Sequence, residues 1–181
     1  MKFTLKTLAA GALSLSLASA FAHVVLDEPV AQAGSSYKAV LRVGHGCAGS
    51  PTMAIRVLLP AGFRGAKPMP KAGWALSTRV EKLAKPYTSH GKQITEDVIE
   101  IRWNATSRES WLSDAFFDEF VLRGTLPERP GVLWFKVLQT CEGGSNDWSE
   151  IPAAGVSTQG MKSPALLLKV LPAGSSAAQQ H

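Results

Sequence analysis

Apolar and polar residues alternate with a period of two in several short segments of the chain, which is typical of β-strands with one buried face. The alternation predicts strands over 23–26, 37–43, 55–59, 99–103, 116–122, 133–137 and 166–171. Glycine- and proline-rich turns separate these segments. A helical stripe is missing from the pattern, and 106–115 is the best candidate for a single helical turn. We therefore predict an all-β fold, a β-sandwich of immunoglobulin-like or cupredoxin-like kind.

The first 22 residues carry a different pattern. A short basic start at Lys2 and Lys6 precedes an apolar run over 8–22, which ends in small residues around a cleavage site. This pattern predicts a secretory signal peptide over 1–22 that is removed after Ala22. The alternative is a retained membrane anchor, for which the run is short. We expect one domain over 23–172 and a disordered tail over 173–181, which is rich in serine, alanine and glutamine.

Charge adds little to this picture. The net charge of the whole chain is +5, and removal of the predicted signal peptide would also remove Lys2 and Lys6. The remaining charges are scattered, with no Lys/Arg block that would indicate a nucleic-acid partner. No apolar run after residue 22 approaches the length of a membrane span. We expect a soluble protein exported to the periplasm or beyond.

The chain has two cysteines, Cys47 and Cys141. An even number in an exported protein predicts one disulfide. It would close a loop of about 95 residues, worth about 4–5 kcal/mol in the chain-entropy model. The alternative is a Cys/His metal pair that uses His45, two residues before Cys47. Thiolate ligands are disfavoured where thiols oxidise.

Cleavage after Ala22 makes His23 the first residue of the mature protein. The α-amine and the imidazole of a terminal histidine can close a chelate ring on one metal ion. Among divalent first-row metals, Cu(II) binds such nitrogen donors most strongly. The alternative is that His23 has no role in metal binding and is simply the residue that follows the cleavage site. Further donors would be carboxylates, with Asp27 and Glu28 just downstream.

A second pair of acids, Asp118 and Glu119, lies inside the aromatic run 116–120. Burying a carboxylate costs several kcal/mol unless a cation or a donor compensates it, and a bound metal would do so. The alternation places the two acids on opposite faces, so at most one is a ligand. The alternative is that both lie at a hydrated strand start, with Glu119 on the solvent face.

Other side chains could contribute to a metal site. Five tryptophans are many for this length, and most should be core residues. Trp148 follows a glycine pair, and we expect it to be the most exposed of the five and able to cover a metal. His45 and His90 are the remaining imidazoles of the domain, although histidines in turns usually bond the backbone. Met69 is the one methionine placed where it could touch an incoming Cu(I).

Several blocks in order resemble the YcnI-like domain: His23-Val24, 43–52, 67–74, Asp118-Glu119-Phe120, 139–143 and 148–152. The resemblance extends from His23 to about Pro172. It implies an exported β-sandwich that binds Cu(II) through a mono-histidine brace. In this chain the brace would use the amine and imidazole of His23 together with Glu119. Trp148 would lie near the metal, and Asp118 could lie among the residues that surround the metal ligands.

The resemblance further implies copper trafficking or homeostasis, with other periplasmic or membrane copper-handling proteins as partners. We expect no catalytic residues. One alternative is a copper-dependent monooxygenase-like enzyme, which needs a second side-chain histidine, either His45 or His90, and a flat aromatic face. The other alternative is a metal-free interaction domain of immunoglobulin type.

Overall fold

A computed structural model of the protein describes residues 23–175, and these residues form two β-sheets around one apolar core. The strands are β1 Val25–Leu26, β2 Val30–Gln32, β3 Ser36–Val43, β4 Thr52–Leu58, β5 Arg64–Pro68, β6 Trp74–Ser89, β7 Lys92–Ala105, β8 Asp118–Thr125, β9 Gly131–Cys141, β10 Gly144–Trp148 and β11 Leu166–Leu171. A 3-10 turn at Arg108–Ser110 lies within the predicted helical segment. The all-β prediction is confirmed.

The smaller sheet has the strand order β1-β3-β8-β5, and the larger sheet has the order β2-β11-β9-β4-β7-β6. Strand β11 pairs with the first half of β9, and β10 pairs with its second half. The short strand β2 runs parallel to β11, while the other pairs are antiparallel. Strand β1 therefore lies at the edge of the smaller sheet, with only β3 beside it in that sheet.

The core forms where the inward faces of both sheets meet, as the alternation predicts. Phe120 of the smaller sheet contacts two tryptophans of the larger sheet edge-on. Its ring centroid lies 5.0 Å from that of Trp74 and 5.6 Å from that of Trp103. The buried Trp103 indole donates a hydrogen bond to the carbonyl of Met69, 3.1 Å away. Such aromatic pairs add stability beyond the apolar area that they bury.

Strand β6 and the adjoining part of β7 form a long hairpin whose residues are mostly exposed on both faces. The Asp97 carboxylate ties this hairpin to β5. Its Oδ2 atom accepts hydrogen bonds from the Tyr87 hydroxyl at 2.7 Å and from the Gly65 backbone N–H at 2.8 Å. The Arg64 guanidinium lies 4.8 Å from the centre of the Tyr87 ring. The hairpin of the larger sheet thus contacts the last strand of the smaller one.

Two sequence predictions lie partly or wholly outside the described residues. The predicted signal peptide, 1–22, lies outside them, and so do residues 176–181 of the predicted tail. The first part of that tail forms a turn, in which the Ser175 carbonyl accepts a hydrogen bond from the Gln32 side chain at 2.7 Å. Within 23–175 there is no helix long and apolar enough to span a membrane.

Candidate metal site

His23 lies just before the edge strand β1, and its ring packs against Trp148 of the larger sheet. The ring centroids are 5.1 Å apart and the planes meet at 63°. Trp148 ends β10 opposite the fully buried Val137, and only 5 % of its surface is exposed. The prediction that Trp148 is the most exposed tryptophan is wrong, because its pairing with β9 turns the indole inward. Trp111 and Trp134 are the partly exposed tryptophans.

Behind Trp148 lies Gln139, a side chain that is 1 % exposed. Its Oε1 atom accepts a hydrogen bond from the Trp148 indole N–H at 3.3 Å. Its Nε2 group donates to the His45 carbonyl at 2.7 Å and to the Thr52 hydroxyl at 2.8 Å. One buried amide therefore connects β9, β4, β10 and the loop that carries His45.

Sequence reasoning missed Gln139, although a signal was present. The inward positions of β9 are Leu133, Phe135 and Val137, and the next one in this series is Gln139. A polar side chain in such a series must find buried partners, because an unsatisfied buried amide costs about 1–3 kcal/mol. The series therefore indicated a buried polar network at this end of the strand.

The loop that follows β3 is tightly fixed. The backbone N–H of Gly46 donates to Asp114 Oδ1 at 2.9 Å, and Cys47 and Ser50 bond each other through their backbones at 3.0 Å in both directions. A Cβ atom on Gly46 would lie 1.8 Å from the Ser50 carbonyl oxygen, so no other residue fits here without a shift of the backbone. His45 Nδ1 hydrogen-bonds the Gly46 carbonyl.

Cys47 and Cys141 form a disulfide, which confirms that prediction. The bond joins the loop after β3 in the smaller sheet to the end of β9 in the larger sheet. The alternative of a Cys/His metal pair is wrong, because a disulfide sulfur is not a thiolate ligand. A disulfide is consistent with an exported protein.

Asp118 and Glu119 lie on opposite faces of β8, as the alternation predicts. Asp118 is paired with the buried Val43, and its carboxylate forms an ion pair with Lys71, whose Nζ atom lies 2.6 Å away. Lys71 therefore compensates the charge of this partly exposed acid, and the position of both acids at the start of β8 matches the alternative of a hydrated strand start. Glu119 is exposed on the solvent face, opposite Arg42.

The structure does not place Glu119 beside His23. Arg42 pairs with Glu119 on one side and with Val25 on the other, so two strand spacings, about 10 Å, separate Glu119 from β1. In residues 23–175, no group of three or more His, Cys, Asp or Glu side chains is arranged to hold a metal. The assignment of Glu119 as a ligand stays a prediction.

The remaining candidates have other partners or lie elsewhere. Asp27 forms an ion pair with Arg42 at 3.2 Å, and the Glu28 carbonyl accepts a hydrogen bond from the Tyr37 hydroxyl at 2.6 Å. His90 occupies the turn between β6 and β7, with a positive φ of 47°. Met69 follows β5, at the opposite edge of the smaller sheet from β1.

His23 lies between two surface cavities. One, of about 320 Å³, is lined by His23, Val25, Arg42, Gly44 and Phe117. The other, of about 300 Å³, lies between β1 and β11 and includes Pro164. The residue is half-buried and its Nε2 atom is buried, so the imidazole is held against an indole at the rim of these cavities. With the α-amine of a chain that begins at His23, this donor chemistry fits Cu(II), which favours nitrogen and oxygen ligands.

Comparison with known proteins gives a family and a fold. A family model described as a domain of unknown function, DUF1775, matches residues 23–170. A protein from Nocardia farcinica with an immunoglobulin-like fold is similar at 24% sequence identity and a TM-score of 0.62, over 82% of this chain and 97% of that chain. This likeness supports the immunoglobulin-like form of the predicted sandwich.

Two cohesins are much less similar. A type I cohesin in a cohesin–dockerin complex from Clostridium thermocellum shows 6% identity and a TM-score of 0.39, over 82% of this chain and 98% of that chain. A type I cohesin from Pseudobacteroides cellulosolvens shows 11% identity and a TM-score of 0.37, over 88% and 96%. Neither bears on function, and no curated protein sequence matches this chain. Because the family model spans nearly all of the described domain, the chain belongs to the DUF1775 family, which includes the YcnI-like copper-binding proteins.

Proposed function

We propose that this protein is exported, begins at His23 after cleavage, and binds Cu(II) as a periplasmic copper carrier or buffer. The observation that carries the proposal is the position of His23. Its imidazole is held against the buried Trp148, and the residue lines a surface cavity. When bound, the metal would take the α-amine and the imidazole of this one residue as a chelate.

Three further facts support the proposal. The DUF1775 family includes copper-binding members. The Cys47–Cys141 disulfide suits an oxidising compartment. With its two cysteines in that bond, the described domain offers no thiolate, which favours Cu(II) over Cu(I). The role is binding rather than catalysis, and other copper-handling proteins would be the donor and acceptor.

The test is a Cu(II) titration followed by EPR on two forms of the protein. One form begins at His23, and the other carries one extra alanine before it. We expect tight 1:1 binding with an axial nitrogen/oxygen signal in the first form and a loss of that site in the second. Equal binding by both forms would contradict a site built on the terminal amine. Absence of binding by either form would leave the family's immunoglobulin-like domain with a metal-free role.

A further inference from the structure

We propose that His45 supplies the second side-chain ligand of the copper site. This inference rests on the proposed function, because it assumes that His23 holds Cu(II). It differs from the expectation based on family resemblance, which assigns that position to Glu119. The strand register, the hydrogen bonds of the His45 loop and the hydrogen bond of its imidazole each support it.

The register brings the backbones of the two histidines together. In the β1–β3 ladder, Val25 pairs with Arg42 and Leu26 with Leu41. The ladder ends at Val25, and continuing its offset by two residues would set His23 opposite Gly44; both residues line one cavity. Directly opposed residues have Cα atoms about 4.5–5.5 Å apart, and the next residue along is about 3.8 Å further. On this geometry the Cα atoms of His23 and His45 would be about 6–7 Å apart, a separation at which two imidazoles can share one metal.

The same register keeps Glu119 away. It lies opposite Arg42 on the strand beyond β3, in line with Val25 rather than with His23. The two strand spacings and the two-residue offset put its Cα atom about 12 Å from that of His23. Arg42 lies on the strand between them and is engaged by Asp27. A chelated metal stays close to the Cα atom of His23, so a glutamate at this distance falls short.

The His45 loop is held in place before any metal arrives. Gln139 donates to the His45 carbonyl and accepts from Trp148, the residue against which His23 packs. Both histidines are therefore positioned by contacts with one buried network. The disulfide at Cys47 fixes the following turn. Ligands fixed by such outer contacts are a recurring feature of protein metal sites.

The hydrogen bond made by the His45 ring also suits a ligand. Its Nδ1 atom is engaged with the carbonyl of Gly46. A metal-binding histidine commonly donates one ring N–H to a backbone carbonyl, which leaves the other nitrogen for the metal. In His45 that nitrogen is Nε2. The resulting set of two imidazoles and one amine is compatible with the square-planar geometry of Cu(II).

The experiment is pulsed EPR on Cu(II)-loaded protein that begins at His23, because echo modulation counts the imidazoles bound in the copper plane. We expect two imidazoles in the wild type, one in His45→Ala, and two in the matched variant Glu119→Gln. Cu(II) affinity should fall at least about tenfold in His45→Ala and stay unchanged in Glu119→Gln. Circular dichroism and an intact disulfide would establish that both variants fold.

The wild-type spectrum alone can overturn the proposal, independently of how any variant folds. A copper-loaded wild type with one imidazole would show that His45 is not a ligand while leaving copper binding intact. A changed spectrum in Glu119→Gln together with an unchanged one in His45→Ala would show that Glu119, and not His45, is the second ligand. A wild type that binds no copper would instead contradict the proposed function.

Discussion

The imidazole of His23 and the indole of Trp148 meet edge-on, with 5.1 Å between their centroids. This contact joins the edge of the smaller sheet to β10 of the larger sheet. It also places a fluorescent ring beside the residue on which the proposed copper site is built.

Cu(II) bound at His23 should quench the fluorescence of Trp148, because paramagnetic copper quenches indoles at short range. The chain has five tryptophans, so the effect must be assigned by substitution. We expect copper-dependent quenching to fall by more than half in Trp148→Phe. In Trp111→Phe it should be nearly unchanged, since Trp111 lines a different cavity, together with Met53 and Arg102. Equal quenching in both variants would place the metal elsewhere.

The buried amide of Gln139 should stabilise the fold through its partners. In Gln139→Leu, the His45 carbonyl, the Thr52 hydroxyl and the Trp148 indole each lose a hydrogen bond. We expect the free energy of unfolding to fall by about 2–4 kcal/mol, measured by urea denaturation. Thr52→Val, which removes one of these bonds, should cost about 1 kcal/mol. Equal stability of Gln139→Leu and the wild type would show that the network contributes nothing.

The disulfide should be a large contributor to stability, because its cysteines are 94 residues apart in sequence. The double variant Cys47→Ala/Cys141→Ala should lose about 4–5 kcal/mol in the chain-entropy model. Denaturant titrations with and without a reductant provide the control. The reductant should destabilise the wild type by a similar amount and leave the double variant unchanged. If the reductant also destabilised the double variant, the loss of stability in the wild type could not be assigned to the disulfide.

Both tyrosines of the chain should resist ionisation. Burial, followed by the nearby charges of Glu28 and Asp27, raises the pKa of Tyr37 well above its usual range. Burial and the hydrogen bond to Asp97 raise the pKa of Tyr87 to about 12. We expect little phenolate absorbance from the folded protein at pH 10–11, whereas the protein in guanidinium should titrate near pH 10.

These shifts also set the sign of a pH effect on stability. A folded pKa above the unfolded one favours the neutral phenol in the native state, so its contribution is complete below about pH 10. That contribution is lost as the pH rises from about 10 through 12 for Tyr87. Tyr87→Phe should unfold with a weaker alkaline pH dependence than the wild type. An equal dependence would mean that Tyr87 does not contribute.

The sequence predicts strands well where one face is buried and poorly where neither is. The alternation gives β11 with its observed bounds and β3 to within one residue, because both bury every second side chain. Strand β6 carries no such pattern, since most of its side chains are exposed on both faces. It is held by its pairing with β7, an interaction that apolar periodicity does not record.

The candidate site shows the same division. His23 and Trp148 could be singled out from the sequence, and the structure brings their rings together. Which strand lies beside β1 depends on the order of strands in the sheet, which local pattern does not encode. Because that neighbour is β3, the residues next to His23 come from the loop at Gly44, and Glu119 is one strand further away.

The two ends of the sandwich are closed by different chemistry. At the end near His23, the Cys47–Cys141 bond links the sheets covalently. At the other end, Tyr87 and Gly65 meet on one carboxylate of Asp97, a contact that alkali can break. Partial opening under mild stress should therefore start at the Tyr87 end and leave the His23 end assembled. A metal at the proposed His23 site would then stay bound while the Tyr87 end opens and closes.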